Sequence, residues 1–116
     1  MKAYTLGMYE KAVPGSLSWR EKLEAARDAG YDFLEMSIDE TEEKLARLKM
    51  SGQERLGLLQ DMYETGLPIR SMCLSGHRKF PLGSNDPETE KRSMEIMEES
   101  IRLAEDLGIR IIMLAG

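Results

Sequence analysis

The sequence contains little cysteine, histidine or aromatic side chain, and each scarcity excludes a class of site. Among its 116 residues there is one cysteine, Cys73, and one histidine, His77. A single cysteine excludes an intramolecular disulfide and a zinc site made of several cysteines. A single histidine excludes any site that needs two, such as a His-Glu-x-x-His zinc helix. Aromatic residues make up 6% of the chain beside nine methionines, which predicts a mainly aliphatic core.

Long apolar runs and an excess of positive charge are also missing. No apolar run approaches the roughly 20 residues that a membrane span requires. The N-terminal sequence MKAYTLGMYE lacks the apolar block of a secretory signal. The chain has 16 Lys and Arg residues against 21 Asp and Glu, and this net charge of −5 argues against a surface for nucleic acid. We therefore expect a cytoplasmic domain that binds neither nucleic acid nor membranes.

Short apolar runs alternate along the chain with longer amphipathic stretches. The apolar runs predict four strands, at residues 4–9, 31–38, 68–74 and 109–114. Gly30, Gly66 and Gly108 stand just before the last three of these strands, where glycine can end a helix in the left-handed conformation. The repeated unit of strand and helix predicts a parallel sheet with right-handed crossovers.

The amphipathic stretches predict helices between these strands. Ser16 or Ser18 can cap the first helix, and two helices lie between the second and third strands, the earlier one opening with acidic residues. Pro87 marks the start of the last helix. The apolar spacing in that helix predicts one core-facing row, formed by Met94, Met97, Ile101 and Ala104.

Four strands and their helices fit either an open α/β sheet or the first half of a (β/α)8 barrel. A complete barrel needs about 250 residues, so this chain cannot form one alone. A parallel sheet buries both faces, yet the sequence stops directly after the fourth strand with no helix to cover it. We therefore expect residues 1–116 to form a single partial barrel domain, truncated after strand four. The alternative is a stand-alone half barrel that binds or assembles without catalysis.

The open edges of such a half barrel predict self-association. Strands one and four each leave backbone groups unpaired, and such edges invite pairing with another chain. We also expect an uncovered apolar inner face, because three helices cannot cover all of Leu34, Met36, Met72, Leu74, Ile112 and Leu114. The expected state is therefore a homodimer or a larger assembly.

Ligands of parallel α/β folds bind where the strands end, so the residues there are the candidates for a site. They are Tyr9, Glu10 and Lys11 after strand one, Glu35, Ser37 and Asp39 on or after strand two, and Ser75 to Lys79 after strand three. The last segment includes His77, a possible proton carrier or metal ligand, and Arg78, a possible phosphate ligand. The alternative for this segment is a solvated basic loop.

The carboxylates and the cysteine can likewise have either a functional or a purely structural role. Glu35 lies in an apolar strand, where its charge is costly unless it faces a polar pocket or is paired. The acidic residues at 39, 40, 42 and 43 stand at a helix start, where they favour the helix dipole rather than a metal. Cys73 lies in an apolar run and is expected to be a small buried hydrophobe. Spacing alone supports no more than a sugar-sized or phosphate-bearing ligand.

Four segments carry a resemblance to a known enzyme family. They are GMYEKAVP at 7–14, DFLEMSIDET at 32–41, SMCLSGHRKFPLGS at 71–84 and GIRIIMLAG at 108–116. These segments resemble the N-terminal half of the L-ribulose-5-phosphate 3-epimerases, which are also named L-xylulose-5-phosphate 3-epimerases or hexulose-6-phosphate isomerases. The resemblance spans essentially the whole chain and implies a xylose-isomerase-like (β/α)8 barrel.

The resemblance implies a metal-assisted epimerisation of a ketopentose 5-phosphate at C3. In that family a divalent metal polarises the oxygens at C2 and C3, while one carboxylate removes the C3 proton and another returns it to the opposite face. The metal ligands and both carboxylates belong to the second half of the barrel, so this chain inherits no catalytic or metal-binding residue. The first half is expected to supply substrate contacts for the sugar phosphate, namely Tyr9, Glu35, Ser75, His77 and Arg78. A hexulose-6-phosphate isomerase, or a metal hydrolase of the same superfamily with His77 as ligand, is the alternative.

Overall fold

The computed structural model describes residues 4–76 and 85–114, and a four-stranded parallel sheet forms its centre. The strands are β1 (Gly7–Tyr9), β2 (Phe33–Ile38), β3 (Ile69–Leu74) and β4 (Ile111–Leu114). Their order in the sheet is β1-β2-β3-β4, and every neighbouring pair is parallel. A doubly wound sheet reverses its strand order at a switch point, whereas a barrel adds each new strand to the same edge. The observed order is therefore that of half a barrel, as the sequence predicts.

The helices are α1 (Trp19–Asp28), α2 (Glu42–Leu45), α3 (Gly52–Thr65) and α4 (Pro87–Leu107). Short 3-10 turns occupy Glu10–Ala12 and Ala46–Lys49. Local sequence explains the helix ends: Ser18 and Ser51 each form a reciprocal capping box, and Asp86 caps α4. Gly66 and Gly108 end α3 and α4 in the left-handed conformation, with φ of 71° and 74°.

The hydrophobic core lies between the sheet and the helices. Leu34, Met36, Met72 and Leu74 are each 0% exposed. They belong to the face that the helices cover, so the expectation that these four residues form an uncovered inner face is wrong. The cover suffices because α1, α3 and α4 each bury apolar side chains in this core, and Leu48 of the second 3-10 turn joins them. Ile112 also packs against this core, and only Leu114 of the six expected residues stays exposed.

The opposite face of the sheet, which we call the polar face, carries Tyr9, Glu35, Ser37, Ser71 and Cys73. Side chains alternate between the two faces along a strand, which separates these residues from the buried methionines and leucines. Two side-chain hydrogen bonds cross this face, from Tyr9 to Ser37 and from Ser71 to Glu35. Cys73 is only partly buried here, so its expected place in the core is wrong.

Helix α4 presents a different row to the core from the predicted one. Its buried residues are Ser93, Ile96, Ser100, Leu103, Ala104 and Leu107. Of the predicted row Ala104 is buried, but Met94 and Ile101 are 49% and 44% exposed. The observed row is displaced by one residue, roughly 100° around the helix. Two small serines lie within the buried stripe, and a pattern of apolar residues alone cannot include them.

The outer strands are shorter than predicted, and both leave an edge open within the described part of the chain. Strand β1 has three residues, and the chain leaves it at Tyr9 for a 3-10 turn. In β4, Ile111, Met113 and Leu114 are 58%, 45% and 53% exposed. Among the described residues, no helix is long and apolar enough to cross a membrane.

Candidate functional site

Polar groups from three strands meet at the carboxyl end of the sheet. Tyr9 ends β1, Ser37 lies near the end of β2, and Ser75 follows β3. The Tyr9 hydroxyl donates to the Ser37 Oγ over 3.2 Å, and the Ser75 backbone N–H donates to the carbonyl of Ile38 over 2.9 Å. This is the end of a parallel sheet at which ligands bind in barrels.

The structure brings together two of the predicted site residues and places a third nearby. Tyr9 and Glu35 are register partners in β1 and β2, and both are half-buried. The Glu35 carboxylate is paired, as its position in an apolar strand required, because it accepts a hydrogen bond of 2.7 Å from the Ser71 hydroxyl. Ser75 is 6% exposed at the end of β3. His77 and Arg78 lie outside the described residues.

A buried charge cluster stands directly beside this end of the sheet. The Glu10 carboxylate is 2% exposed and forms ion pairs with Lys22 at 2.6 Å, Lys44 at 3.2 Å and Arg47 at 2.5 Å. We call these four residues the Glu10 cluster. Sequence reasoning missed it, because its three cations are 12, 34 and 37 residues away from Glu10 and follow no periodic pattern.

The Glu10 cluster takes the place that a longer β1 would occupy. Since β1 ends at Tyr9, the backbone of Ser37 has no strand neighbour on that side. The Glu10 Oε1 atom accepts a hydrogen bond from the Ser37 N–H over 2.9 Å. Arg47 Nη1 donates to the Ser37 carbonyl over 2.9 Å and to Glu10 Oε1 over 2.6 Å. Side chains therefore satisfy both backbone groups of Ser37 where a strand would normally do so.

Electrostatics keeps Glu10 ionised despite its burial. Burial by itself raises the pKa of the carboxyl group, but hydrogen bonds from Arg47, Lys22 and the Ser37 N–H outweigh it and lower the pKa to about 2. The Trp19 ring packs against the same cations, with its centroid 4.9 Å from Lys22 Nζ and 4.4 Å from the Arg47 guanidinium carbon. This cation–π contact stabilises two of the three cations in their places beside Glu10.

A second network joins the loops that follow β1 and β2. Asp39 accepts hydrogen bonds from the backbone N–H and the hydroxyl of Thr41, at 2.9 and 2.6 Å. It also forms an ion pair with Lys11 over 2.8 Å. Burial raises the pKa of Asp39, but Lys11 and Thr41 outweigh it and lower the pKa to about 2. Asp39 therefore stabilises the turn that leads into α2 and joins it to Lys11 of the loop after β1.

The described residues offer no metal centre. Within 4–76 and 85–114, no group of three or more His, Cys, Asp or Glu side chains is placed to hold a metal ion. Glu40, Glu42 and Glu43 are exposed around the first turn of α2, which Thr41 caps, in agreement with the helix-start interpretation.

Comparison with known proteins assigns the chain to a family. The family described as the xylose isomerase-like TIM barrel matches residues 23–116. The chain belongs to the xylose isomerase-like TIM barrel family. This assignment agrees with the parallel sheet in sequential order and confirms the resemblance on which the predicted fold rests.

Relatives within the xylose isomerase-like family carry the names of sugar-phosphate epimerases. The chain is 54% identical over 116 residues to the protein named "Putative L-ribulose-5-phosphate 3-epimerase SgbU" of Escherichia coli (strain K12). It is 50% identical over 115 residues to L-ribulose-5-phosphate 3-epimerase UlaE of Escherichia coli O139:H28 (strain E24377A / ETEC). These alignments cover 100% and 99% of this chain but only 41% and 40% of the relatives. The chain thus spans about 40% of the length of the curated relatives it matches.

A solved structure confirms the fold. The crystal structure of D-psicose 3-epimerase in the presence of D-fructose superimposes with a TM-score of 0.78 over 97% of this chain and 37% of that one. The sequence identity is 16%, so this likeness shows the architecture alone.

Proposed function

We propose that these 116 residues form the N-terminal half of a sugar-phosphate 3-epimerase that interconverts L-ribulose 5-phosphate and L-xylulose 5-phosphate. The observation that supports it is the identity of 54% and 50% to proteins with that name, which extends over the whole chain. Residues 1–116 are then a single partial barrel domain. A phosphorylated substrate does not cross a membrane unaided, so we place the activity in the cytoplasm.

In this reaction a proton leaves C3 of the ketopentose and returns to its opposite face. The neighbouring C2 carbonyl makes that proton removable, and proton transfer needs one group on each face of the sugar. Family resemblance calls for a divalent metal, but the described residues do not provide a set of ligands for one. Because the resemblance places the metal ligands and both proton-transferring carboxylates in the second half of the barrel, we assign neither a metal ligand nor a catalytic residue to this chain.

The contribution of this chain is to hold the substrate. Tyr9, Glu35 and Ser75 stand on the polar face or at its carboxyl end, where hydroxyl and carboxylate oxygens suit the hydroxyl groups of a sugar. His77 and Arg78 follow Ser75 in the chain, and a guanidinium is a suitable partner for the substrate phosphate. Together these five residues form the proposed substrate contacts.

The test is turnover by the full-length protein that contains this chain. Purified protein with added Mg²⁺ or Mn²⁺ should interconvert L-xylulose 5-phosphate and L-ribulose 5-phosphate and should exchange the C3 hydrogen for deuterium in D2O. Hexulose 6-phosphates and unphosphorylated D-allulose serve as the comparison substrates. Faster turnover of a hexulose 6-phosphate would favour the isomerase alternative, and no exchange at C3 of the pentose phosphate would refute the proposal.

A non-catalytic, self-assembling half barrel is the second candidate function. The exposed edge of β4 favours it, since Ile111, Met113 and Leu114 are each about half exposed beside unpaired backbone groups, at 58%, 45% and 53%. Two copies related by a two-fold axis would place β4 of one chain against β1 of the other and supply eight strands. Sedimentation velocity of this chain at micromolar concentration would detect such assembly as a dimer or a larger species.

A further inference from the structure

We propose that Glu10 is a positioning residue for the site, which it serves by fixing the Tyr9–Ser37 pair at the carboxyl end of the sheet. The inference rests on the proposed function in one respect, namely that Tyr9 contacts the sugar phosphate. It goes beyond that function because Glu10 itself is buried, at 2% exposure, and does not reach a ligand.

Side chains of the Glu10 cluster hold the backbone of Ser37 near the end of β2. Its backbone N–H donates to Glu10 and its carbonyl accepts from Arg47, in each case over 2.9 Å. Both contacts come from the side on which β1 has already ended. The end of β2 is therefore held in place by the Glu10–Arg47 pair and not by strand pairing on that side.

Ser37 is in turn hydrogen-bonded to Tyr9. The Ser37 Oγ accepts the hydrogen bond from the Tyr9 hydroxyl over 3.2 Å. Tyr9 also precedes Glu10 directly in the chain, so anchoring the Glu10 side chain fixes the backbone of Tyr9 as well. Glu10 thus controls both ends of the tyrosine: its backbone through the chain and its hydroxyl through Ser37.

The charge of Glu10 balances the positive charges packed around it. The groups that face it are Lys22 from α1, Lys44 from α2, Arg47 from the 3-10 turn and the Ser37 N–H from β2. One carboxylate therefore faces three cations from three separate elements. If the charge is removed, the cations repel one another while the Trp19 ring still holds two of them. The hydrogen bond to Ser37 is then the contact that loosens.

The experiment compares four forms of the full-length protein: wild type, Glu10→Gln, Tyr9→Phe and the double variant. The substrate is L-xylulose 5-phosphate, and kcat and KM are measured separately. Loss of one hydrogen bond between the Tyr9 hydroxyl and the substrate corresponds to about a fivefold rise in KM. We therefore expect Tyr9→Phe to raise KM by about that factor when Glu10 is present. In the Glu10→Gln background we expect less than a twofold further effect, because the hydroxyl is already released. Independent, multiplicative effects of the two substitutions would overturn the proposal.

A second measurement does not depend on turnover. Hydrogen exchange at the Ser37 amide should be at least about tenfold faster in Glu10→Gln than in wild type, while the Met36 and Leu34 amides keep their rates. Unchanged exchange at Ser37 would overturn the proposal. If the wild-type protein turns over no pentose phosphate, the proposed function fails, and exchange at Ser37 alone decides whether Glu10 positions the pair.

Two further variants separate positioning from folding. Glu64→Gln, which neutralises one of the three carboxylates that pair with Arg20, is the control and should change neither KM nor Ser37 exchange. If Glu10→Gln does not fold, Glu10→Asp takes its place, since it keeps the charge but withdraws the carboxylate by one methylene group. Glu10→Asp should accelerate exchange at Ser37 in the same way, and normal protection in this variant would contradict the proposal.

Discussion

Acid should remove most of the stability that the Glu10 cluster provides. The ordinary pKa of a glutamate in the unfolded chain is 4.5, and in the folded protein the pKa of Glu10 is about 2. A carboxyl group whose pKa is lowered on folding stabilises the folded state above the unfolded value, and that contribution is lost as the pH falls through the folded value. The relevant window therefore runs from pH 5 down to about pH 2.

The size of the effect follows from the difference between the two pKa values. Each unit corresponds to about 1.4 kcal/mol, so the Glu10 carboxylate contributes about 3 kcal/mol to the free energy of unfolding at neutral pH. Glu10 is 2% exposed, which limits screening of this contribution by solvent. Asp39 also has a lowered pKa, about 2, but it is present in both proteins compared below and cancels in the difference.

The assay is urea unfolding of wild type and Glu10→Gln at several pH values between 6 and 2, in the same form of the protein. Trp19 is the only tryptophan among these 116 residues, and its ring packs against the cluster, so its fluorescence reports the unfolding of this chain. We expect wild type to be more stable at pH 6 and the difference to shrink by about 3 kcal/mol toward pH 2. A difference that does not change with pH would refute the assignment of this stability to the Glu10 charge.

Four further predictions concern activity, substrate binding, assembly and packing. The isolated chain should show no metal-dependent conversion of L-xylulose 5-phosphate, and turnover by purified chain would contradict the division of the site between two halves. Arg78→Ala in the full-length protein should raise KM for the phosphorylated substrate about ten- to hundredfold, the effect of one charge-assisted contact, and an unchanged kcat/KM would indicate a solvated loop. The isolated chain should sediment as a dimer or larger species at micromolar concentration, while a monomer that unfolds cooperatively would show that the β4 edge does not drive association. Gly7→Ala should destabilise the fold by about 1–3 kcal/mol, because the new Cβ would lie 2.2 Å from the ring of Phe33. Gly15→Ala, whose Cβ meets nothing within 4 Å, is the matched control for thermal unfolding.

Local sequence determined the elements of this protein and their order. Ser18 and Ser51 carry the hydroxyl groups that cap α1 and α3, and Gly66 and Gly108 adopt the left-handed conformation that ends α3 and α4. These are interactions between residues close in the chain, so a reader of the sequence can place them. The alternation of strands and helices then restricts the topology to parallel pairing, which is why the half barrel was predictable.

Only the tertiary structure decided which side chains meet. The row that α4 buries includes Ser93 and Ser100, because packing against the sheet selects small side chains that hydrophobicity does not identify. The same holds for the site: the sequence places Tyr9 at the end of strand one and Glu35 on strand two, but it does not reveal the Glu10 cluster. Its members come from four elements, and their attraction depends on distances of 2.5 to 3.2 Å that exist only after α1 and α2 have packed beside the end of β1. A carboxylate and three cations far apart in the chain are ordinary surface residues in the sequence, and burial together is what gives them a common role.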